Sequence, residues 1–334
     1  MDLPELRSIN DFGDLAEIGQ GTYGVVFRAK DLKTKEIVAL KKVKMGEKEK
    51  EGFPITTLRE YRILKKIKHR NIINLHEIVC GDEVDEFYLV FDFCPHDLSR
   101  LLATMTTKHS PFTVSEIKSL MIQLLNAVAY AHENHVIHRD IKLSNLLFND
   151  QGELKLCDFG LSREIDNSTE AMTPIVQSLW YRAPEVLLGE THYTEKIDMW
   201  SVGCIMGELI QNQPLFQGLS ELDQLSKIFK VLGTPSVKLW PKYPDLPGVK
   251  MFQLPQYEYN ELQKLFPFLS SDGLDILNRM LTYDFEKRIS AKDALLHPYW
   301  SQSPLPKDVQ MIRTFPSSFR PINKKSHFHF SNQK

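Results

Sequence analysis

The sequence predicts an α+β chain of two lobes: a small strand-rich lobe over residues 12–93 carrying one helix, then a larger, mainly helical lobe over residues 94–300. Three observations lead there. Up to Phe93 the apolar residues come in short, β-favouring runs broken by Gly, Asp and Lys, and only one patch has helical spacing. After Pro95 the apolar spacing turns helical almost throughout. And 334 residues with 42% hydrophobic and 25% charged side chains suffice for about two domain-sized cores.

The strands are expected at Leu15–Ile18, Val25–Ala29, Ile37–Leu40, Ile72–Ile78 and Phe87–Phe91. The helix among them runs from Pro54 to Lys66. Glu60, Ile63, Leu64 and Ile67 recur at i, i+3, i+4 and i+7, which puts a glutamate on the inward stripe. In the second lobe Thr113-Val-Ser-Glu116 reads as a capping box. It opens a helix with the stripe Ile117, Leu120, Met121, Leu124, Leu125 and Val128. Leu274, Leu277 and Leu281 share one face of a helix over Gly273–Thr282, and Ser290-Ala-Lys-Asp293 starts another that Pro298 stops. Residues 233–260, dense in proline and aromatics, read as an ordered insert. Residues 301–334 form an extension whose polar end, Pro321–Lys334, is expected to fray.

Forty-one Lys and Arg against 43 Asp and Glu leave a net charge of −2, which gives no case for nucleic acid or an anionic membrane as partner. No run of apolar residues is long enough to span a bilayer, and Met1–Asn10 lacks the apolar core of a secretory signal. Cys80, Cys94, Cys157 and Cys204 are scattered with no Cys-x-x-Cys pair, which argues for a reducing compartment and against disulfides or structural zinc.

Gly19-Gln20-Gly21-Thr22-Tyr23-Gly24 fits G-x-G-x-x-G, a weak signal alone, because the same spacing opens dinucleotide-binding folds and plain turns. Here it feeds Val25-Val26-Phe27, a strand rather than a helix. That fits a flap whose backbone N–H groups cover phosphates, with a structural turn the even competitor. In Val38-Ala39-Leu40-Lys41, alternation puts Lys41 on the face of Ala39, where a small side chain leaves room for a planar base. The natural ion partner of Lys41 is the inward Glu60, since a lone buried carboxylate is costly. His138-Arg139-Asp140-Ile-Lys142-Leu-Ser-Asn145 supplies a carboxylate able to accept a hydroxyl proton, a cation for a γ-phosphate and an amide oxygen for Mg²⁺. Asp158-Phe159-Gly160, after Leu154-Lys-Leu156, offers a second hard oxygen ligand. Ala183-Pro184-Glu185 follows, with Arg288 the candidate partner of Glu185.

In this order and spacing the set resembles the eukaryotic protein kinases over about Phe12–Trp300, residues 12–300 as one kinase domain. Pro54-Ile-Thr-Thr-Leu-Arg-Glu60 resembles the signature helix of the cyclin-dependent branch, nearest its transcription-linked and PITSLRE- or PISSLRE-like members. The resemblance implies a bilobal kinase fold and Mg·ATP as phosphoryl donor. It implies transfer to protein Ser or Thr, proline-directed, under a cyclin-like subunit that docks on the signature helix, and a nuclear or cytoplasmic location.

Residue by residue it implies Asp140 as base, Lys142 at the γ-phosphate, Lys41 held by Glu60 on the α- and β-phosphates, and Asn145 and Asp158 on the metal. ATP would lie among Ile18, Gly19, Gln20, Gly21, Thr22, Tyr23, Gly24, Val25, Val26, Ala39, Lys41, Phe91, Phe93, Cys94 and Leu147. Of these Phe91 is the gatekeeper, and Phe93 and Cys94 supply the hinge. Thr173 takes the place of the activating phosphothreonine, with Arg59, Arg139 and Arg163 to bind its phosphate and Thr22 and Tyr23 as inhibitory sites. Leu143, Ser162 and Gln177 depart from the commonest residues, and Gln177 bears on the proline preference. Cys157 reads as a small buried residue rather than a redox group. A non-catalytic scaffold of the same fold is disfavoured because Lys41, Glu60, Asp140, Asn145 and Asp158 are all present. A mitogen-activated kinase is disfavoured because Ser168–Pro174 contains no tyrosine.

Overall fold

The computed structural model describes residues 6–21, 24–45, 54–83, 85–165, 172 and 176–315. Thr22, Tyr23, Thr173 and the polar end of the extension lie outside these residues, and the side chain of Gln20 is likewise not described.

The first lobe is a five-stranded antiparallel sheet of β1 (Phe12–Gly21), β2 (Gly24–Asp31), β3 (Ile37–Lys42), β4 (Leu75–Cys80) and β5 (Phe87–Asp92), in the order β1-β2-β3-β5-β4. Alternation sorts its faces. Val38 and Leu40 of β3 join Ile9, Phe12, Ala29, Val79, Tyr88 and Val90 in one core cluster, while Ala39 and Lys41 point the other way, half-buried. Helix α1 (Ile55–Lys66) buries Glu60, Ile63 and Leu64 as its spacing predicts, and leaves Ile55 and Leu58 exposed. Pro54 is its N-cap rather than its first turn. The expected strand from Ile72 starts later, at Leu75, because Ile72 is drawn into an isolated bridge with Leu156 of the other lobe.

The second lobe opens with β6 (His96–Asp97), α2 (Leu98–Thr107) and α3 (Val114–Glu133), the last capped by the reciprocal Thr113–Glu116 box. Then come β7 (Val136–Ile137), β8 (Leu146–Phe148), β9 (Leu154–Leu156) and β10 (Arg163–Glu164). β6, β8 and β9 form one small sheet, and β10 pairs with β7. α4 (Pro184–Leu187), α5 (Lys196–Gln211), α6 (Glu221–Leu232), α7 (Pro247–Met251), α8 (Leu262–Leu265), α9 (Ser271–Met280) and α10 (Ala291–Leu295) complete it. α5 is buried nearly all round, as a central helix must be. The proline-rich insert is ordered: Trp240 stacks on Tyr283, and Tyr243 meets Phe229 edge-on. Arg288 grips Glu185 through two hydrogen bonds of 2.7 and 2.8 Å, both side chains fully buried, as the sequence leads one to expect.

Candidate active site

Cross-strand register builds the roof of the cleft. Gly19 pairs with Val26, Val26 with Lys41 and Lys41 with Leu89, a single row across the sheet; two residues along β3, Ala39 pairs with Phe91. β1 bulges between Glu17 and Gly19, the place of Ile18. Gly24 has φ of +138°, and a Cβ there would sit 2.1 Å from the Lys42 carbonyl oxygen, so only glycine fits that end of the loop. A Cβ on Gly19 would meet nothing within 4 Å, the open space a phosphate-covering flap requires. Phe91 and Cys94 are buried on the way to β6, and Leu147 comes from β8, opposite Asp97.

Below the roof, Lys41 Nζ lies 3.0 and 2.9 Å from the two Glu60 oxygens and 3.2 Å from Asp158 Oδ1. Three elements distant in sequence meet at one ammonium group. Burial works against the Lys41 charge, but the carboxylates of Glu60 and Asp158 outweigh it and its pKa is raised. Burial raises the Glu60 carboxyl, with Lys41 opposing. Asp158 sits in the left-handed region, φ +65°, a strained conformation for a residue with a side chain.

Asp140 is buried and contacted on both oxygens. Oδ2 accepts from Lys142 Nζ at 2.7 Å and Asn145 Nδ2 at 3.2 Å; Oδ1 accepts from the Ser178 N–H at 3.0 Å and its hydroxyl at 2.9 Å. Lys142 Nζ also donates to Ser178 Oγ at 3.0 Å. Asn145 directs its amide protons at Asp140, to the carbonyl as well as Oδ2, which leaves its amide oxygen as an acceptor. That oxygen and the Asp158 carboxylate are hard donors of the kind Mg²⁺ takes, so the residues present fit the ion.

One contributor, Ser178, is not singled out by the sequence motifs. Another, Asp198, opens the Asp198-Met-Trp200-Ser-Val-Gly203 run that follows Ala183-Pro184-Glu185 in the sequence, but the sequence assigns it no role. It is fully buried in α5, and its carboxylate accepts the backbone N–H groups of His138 and Arg139 and meets His132 Nε2, each at 2.9 Å. Burial would raise its pKa, but the bond from His132 and the neighbouring charges prevail and hold it low. It fixes the loop that carries Asp140, with Arg139 at φ +66°. Ser162, where alanine is commoner, donates to the His138 carbonyl at 3.2 Å and ties the segment after Asp158 to the same loop.

Arg59, Arg139 and Arg163 converge: burial, then the charges of Arg139 and Arg163, lower the pKa of the Arg59 guanidinium. Arg139 donates to the Leu161 carbonyl and Tyr193 hydroxyl, and Arg59 lies 3.5 Å from the Gly160 carbonyl. Lys66 Nζ lies 2.7 Å from Glu164 Oε1, next to this cluster in the sequence. Gln177 is buried in the left-handed region, φ +63°. Its side chain turns inward to the Ile197 carbonyl, Ser201 Oγ and the Ala183 N–H, while its carbonyl accepts from Arg182 Nε and Nη2 at 3.4 and 3.0 Å.

A family model described as "Protein kinase domain" matches residues 12–300. The chain is 53% identical over 312 residues to cyclin-dependent kinase 11B of Mus musculus, covering 93% of this chain and 39% of that protein. It is 46% identical over 331 residues to probable cyclin-dependent kinase 10 of Dictyostelium discoideum, covering 98% of this chain and 90% of that one. A crystal structure of the yeast RNA Pol II CTD kinase CTDK-1 complex contains a chain that superimposes with a TM-score of 0.83 at 37% identity, covering 93% of this chain and 99% of that chain. The chain spans about two fifths of the length of several of the curated relatives it matches.

Proposed function

The chain belongs to the protein kinase family, in its cyclin-dependent branch, and on that footing we propose that it transfers the γ-phosphoryl group of ATP to Ser or Thr hydroxyls of proteins under the control of a cyclin-like subunit. The observation that carries the proposal is the closed Lys41–Glu60–Asp158 cluster standing beside an Asp140 held on both oxygens. Ile18, Val26, Ala39 and Leu147 enclose the adenine, Phe93 and Cys94 offer it backbone groups, and the backbone of the Gly19–Gly24 loop covers the phosphates. Lys41, oriented by Glu60, binds the α- and β-phosphates. Asp140 orients the acceptor hydroxyl and takes its proton, and Lys142 offsets γ-phosphate charge. Asn145 and Asp158 would hold Mg²⁺, which would supply neutralisation of the charge on the transferring phosphate. Catalysis here is positioning and electrostatics, so each part matters.

The same reading makes the enzyme proline-directed. Gln177 lies in the segment that shapes the pocket for the residue after the acceptor, and Arg182 already occupies its carbonyl. A substrate N–H placed there would find no acceptor, and proline brings none. The inward turn of the Gln177 side chain explains why glutamine is tolerated. The cyclin-like partner would cover the exposed Ile55 and Leu58 of α1. The test is Mg·ATP turnover by the partner-bound chain on matched Ser-Pro and Ser-Ala peptides. We expect transfer to the first, little to the second, and near-complete loss in Asp140→Asn with ATP binding intact. Retention of more than about a tenth of turnover by Asp140→Asn, a barrier change under ~1.4 kcal/mol, would sink the assignment of the base.

A further inference from the structure

The capping box that opens α3 does more than cap. Glu116, with a fully buried side chain, accepts the Thr113 N–H at 2.9 Å and the Thr113 hydroxyl at 3.0 Å. It also receives Arg313 from the far end of the chain, Nε at 2.9 Å on one oxygen and Nη2 at 2.9 Å on the other. Lys307 Nζ stands 3.3 Å from the same carboxylate. These two cations belong to a strap over residues 302–315. The strap crosses α3 through the Lys307 N–H to the Ser115 carbonyl and Lys118 Nζ to the Gln302 carbonyl. It ends with Phe315 edge-on to His96, Phe112 and Phe148, its carbonyl 3.1 Å from His96 Nε2, just past the hinge. Arg313 reaches one group more. Nη1 lies 2.9 Å from the hydroxyl of Ser110 and 3.3 Å from its carbonyl, and Nη2 donates to the Pro111 carbonyl at 2.8 Å.

Ser110 is exposed, in the irregular segment between α2 and α3, and is followed by proline. We propose that Ser110 is a phosphorylation site for a proline-directed kinase and that Arg313 and Lys307 read its phosphate, fastening the strap to the start of α3. Two cations now face one carboxylate. A phosphate brings about −1.5 to −2 charges and three strong acceptor oxygens beside a guanidinium already within hydrogen-bonding distance of the serine oxygen. A residue before proline favours the extended region that a kinase cleft requires, and Ser110 is exposed. In the step itself the Ser110 Oγ–phosphorus bond forms as the bond from the ATP γ-phosphorus to the bridging oxygen breaks. ADP departs, and the hydroxyl proton passes to the carboxylate base of the writing kinase and on to water. Glu116 is the opposing charge, yet with its oxygens engaged by Thr113, Arg313 and Lys307 it is already compensated.

The test uses full-length Asp140→Asn protein, so that any transfer by the chain itself plays no part. Incubation with a mitogen-activated-class kinase and Mg·ATP, followed by peptide mapping, should place phosphate on Ser110, and Pro111→Ala should remove it. Backbone hydrogen exchange over residues 302–315 should then slow by about fivefold or more on phosphorylation. Ser110→Ala, treated in parallel and free to carry phosphate elsewhere, should show no slowing, and Arg313→Gln should lose the difference between its phosphorylated and unphosphorylated forms. A Ser110 left unmodified in the folded protein, or a strap whose exchange is unchanged or faster once Ser110 is phosphorylated, overturns the proposal.

Discussion

Ser178 illustrates how much of the chemistry hangs on single atoms. Its hydroxyl and N–H both point at Asp140 Oδ1, and the same hydroxyl accepts from Lys142. It touches no reacting atom in the proposed scheme, so it is a positioning residue. Ser178→Ala should lower kcat on the order of tenfold with KM for ATP unchanged, and Ser178→Thr should restore it. An unchanged kcat in the alanine variant would remove Ser178 from the machinery. Glu208 makes a different kind of prediction. Burial pushes its carboxyl up to about 7, against the opposing effect of the 2.6 Å hydrogen bond from the Tyr181 hydroxyl. The folded state therefore holds a proton that the unfolded chain has released between about pH 4.5 and 7. Because the folded pKa is the higher, stability is fully present below 4.5 and is lost as pH rises through 7, by up to about 3 kcal/mol. Glu208→Gln should melt like the parent at pH 5 and several degrees higher at pH 8. Equal melting points at pH 8 would refute the buried proton. Neither residue stands out in the sequence. Ser178 looks like any loop serine, and the environment of Glu208 is made by Tyr181, which only the fold brings to it.

At the scale of elements, legibility follows how local the cause is. The β3 alternation and the α1 stripe are fixed by neighbours a few residues apart, so Lys41 and Glu60 can be paired on paper before they are seen 2.9 Å apart. The start of β4 depends on a bridge between Ile72 and Leu156, and the anchoring of the catalytic loop on Asp198 at some 60 residues' separation; no window of sequence holds both partners. The strap over residues 302–315 has no amphipathic period, because side chains spaced irregularly along it, Lys307, Ile312, Arg313 and Phe315, do the docking. α1 carries a prediction of its own. Its inner face holds the Glu60 contact, while Ile55 and Leu58 are 70% and 45% exposed, an apolar surface offered by a helix that packs well on its other side. Ile55→Asp with Leu58→Asp should abolish capture of the cyclin-like partner. Each change should shift the stability of the isolated chain by only about 0.5 kcal/mol, as expected of surface substitutions. Undiminished co-purification of the partner with the double variant would place the interface elsewhere.

Among the bonds that tie the two lobes of the whole molecule together, three lie at the mouth of the activation segment: Lys41 to Asp158, Arg59 to the Gly160 carbonyl, and Lys66 to Glu164. Around Gly160 three arginines from three elements come together, and their mutual repulsion is felt at Arg59, whose pKa burial and the charges of Arg139 and Arg163 together lower. Clustered like charges are unfavourable unless an anion answers them. Counting back from Leu179-Trp180-Tyr181-Arg182, the proposed activating residue Thr173 stands on the segment between Asp158 and Glu185. A phosphate on it would bring negative charge and charge-assisted bonds to α1, the catalytic loop and the start of that segment at once. Such a phosphate would tie three elements from both lobes into one unit, so its effect belongs on turnover more than on nucleotide binding. In the partner-bound protein, Thr173→Ala should cut activity more than about tenfold, a barrier increase above ~1.4 kcal/mol, while Mg·ATP affinity stays nearly unchanged. Treatment with an activating kinase should raise the activity of the parent and leave the variant where it was. Activation that survives Arg139→Ala combined with Arg163→Ala would mean that the phosphate is not read by this cluster, and the link from Thr173 to the two lobes would have to be abandoned.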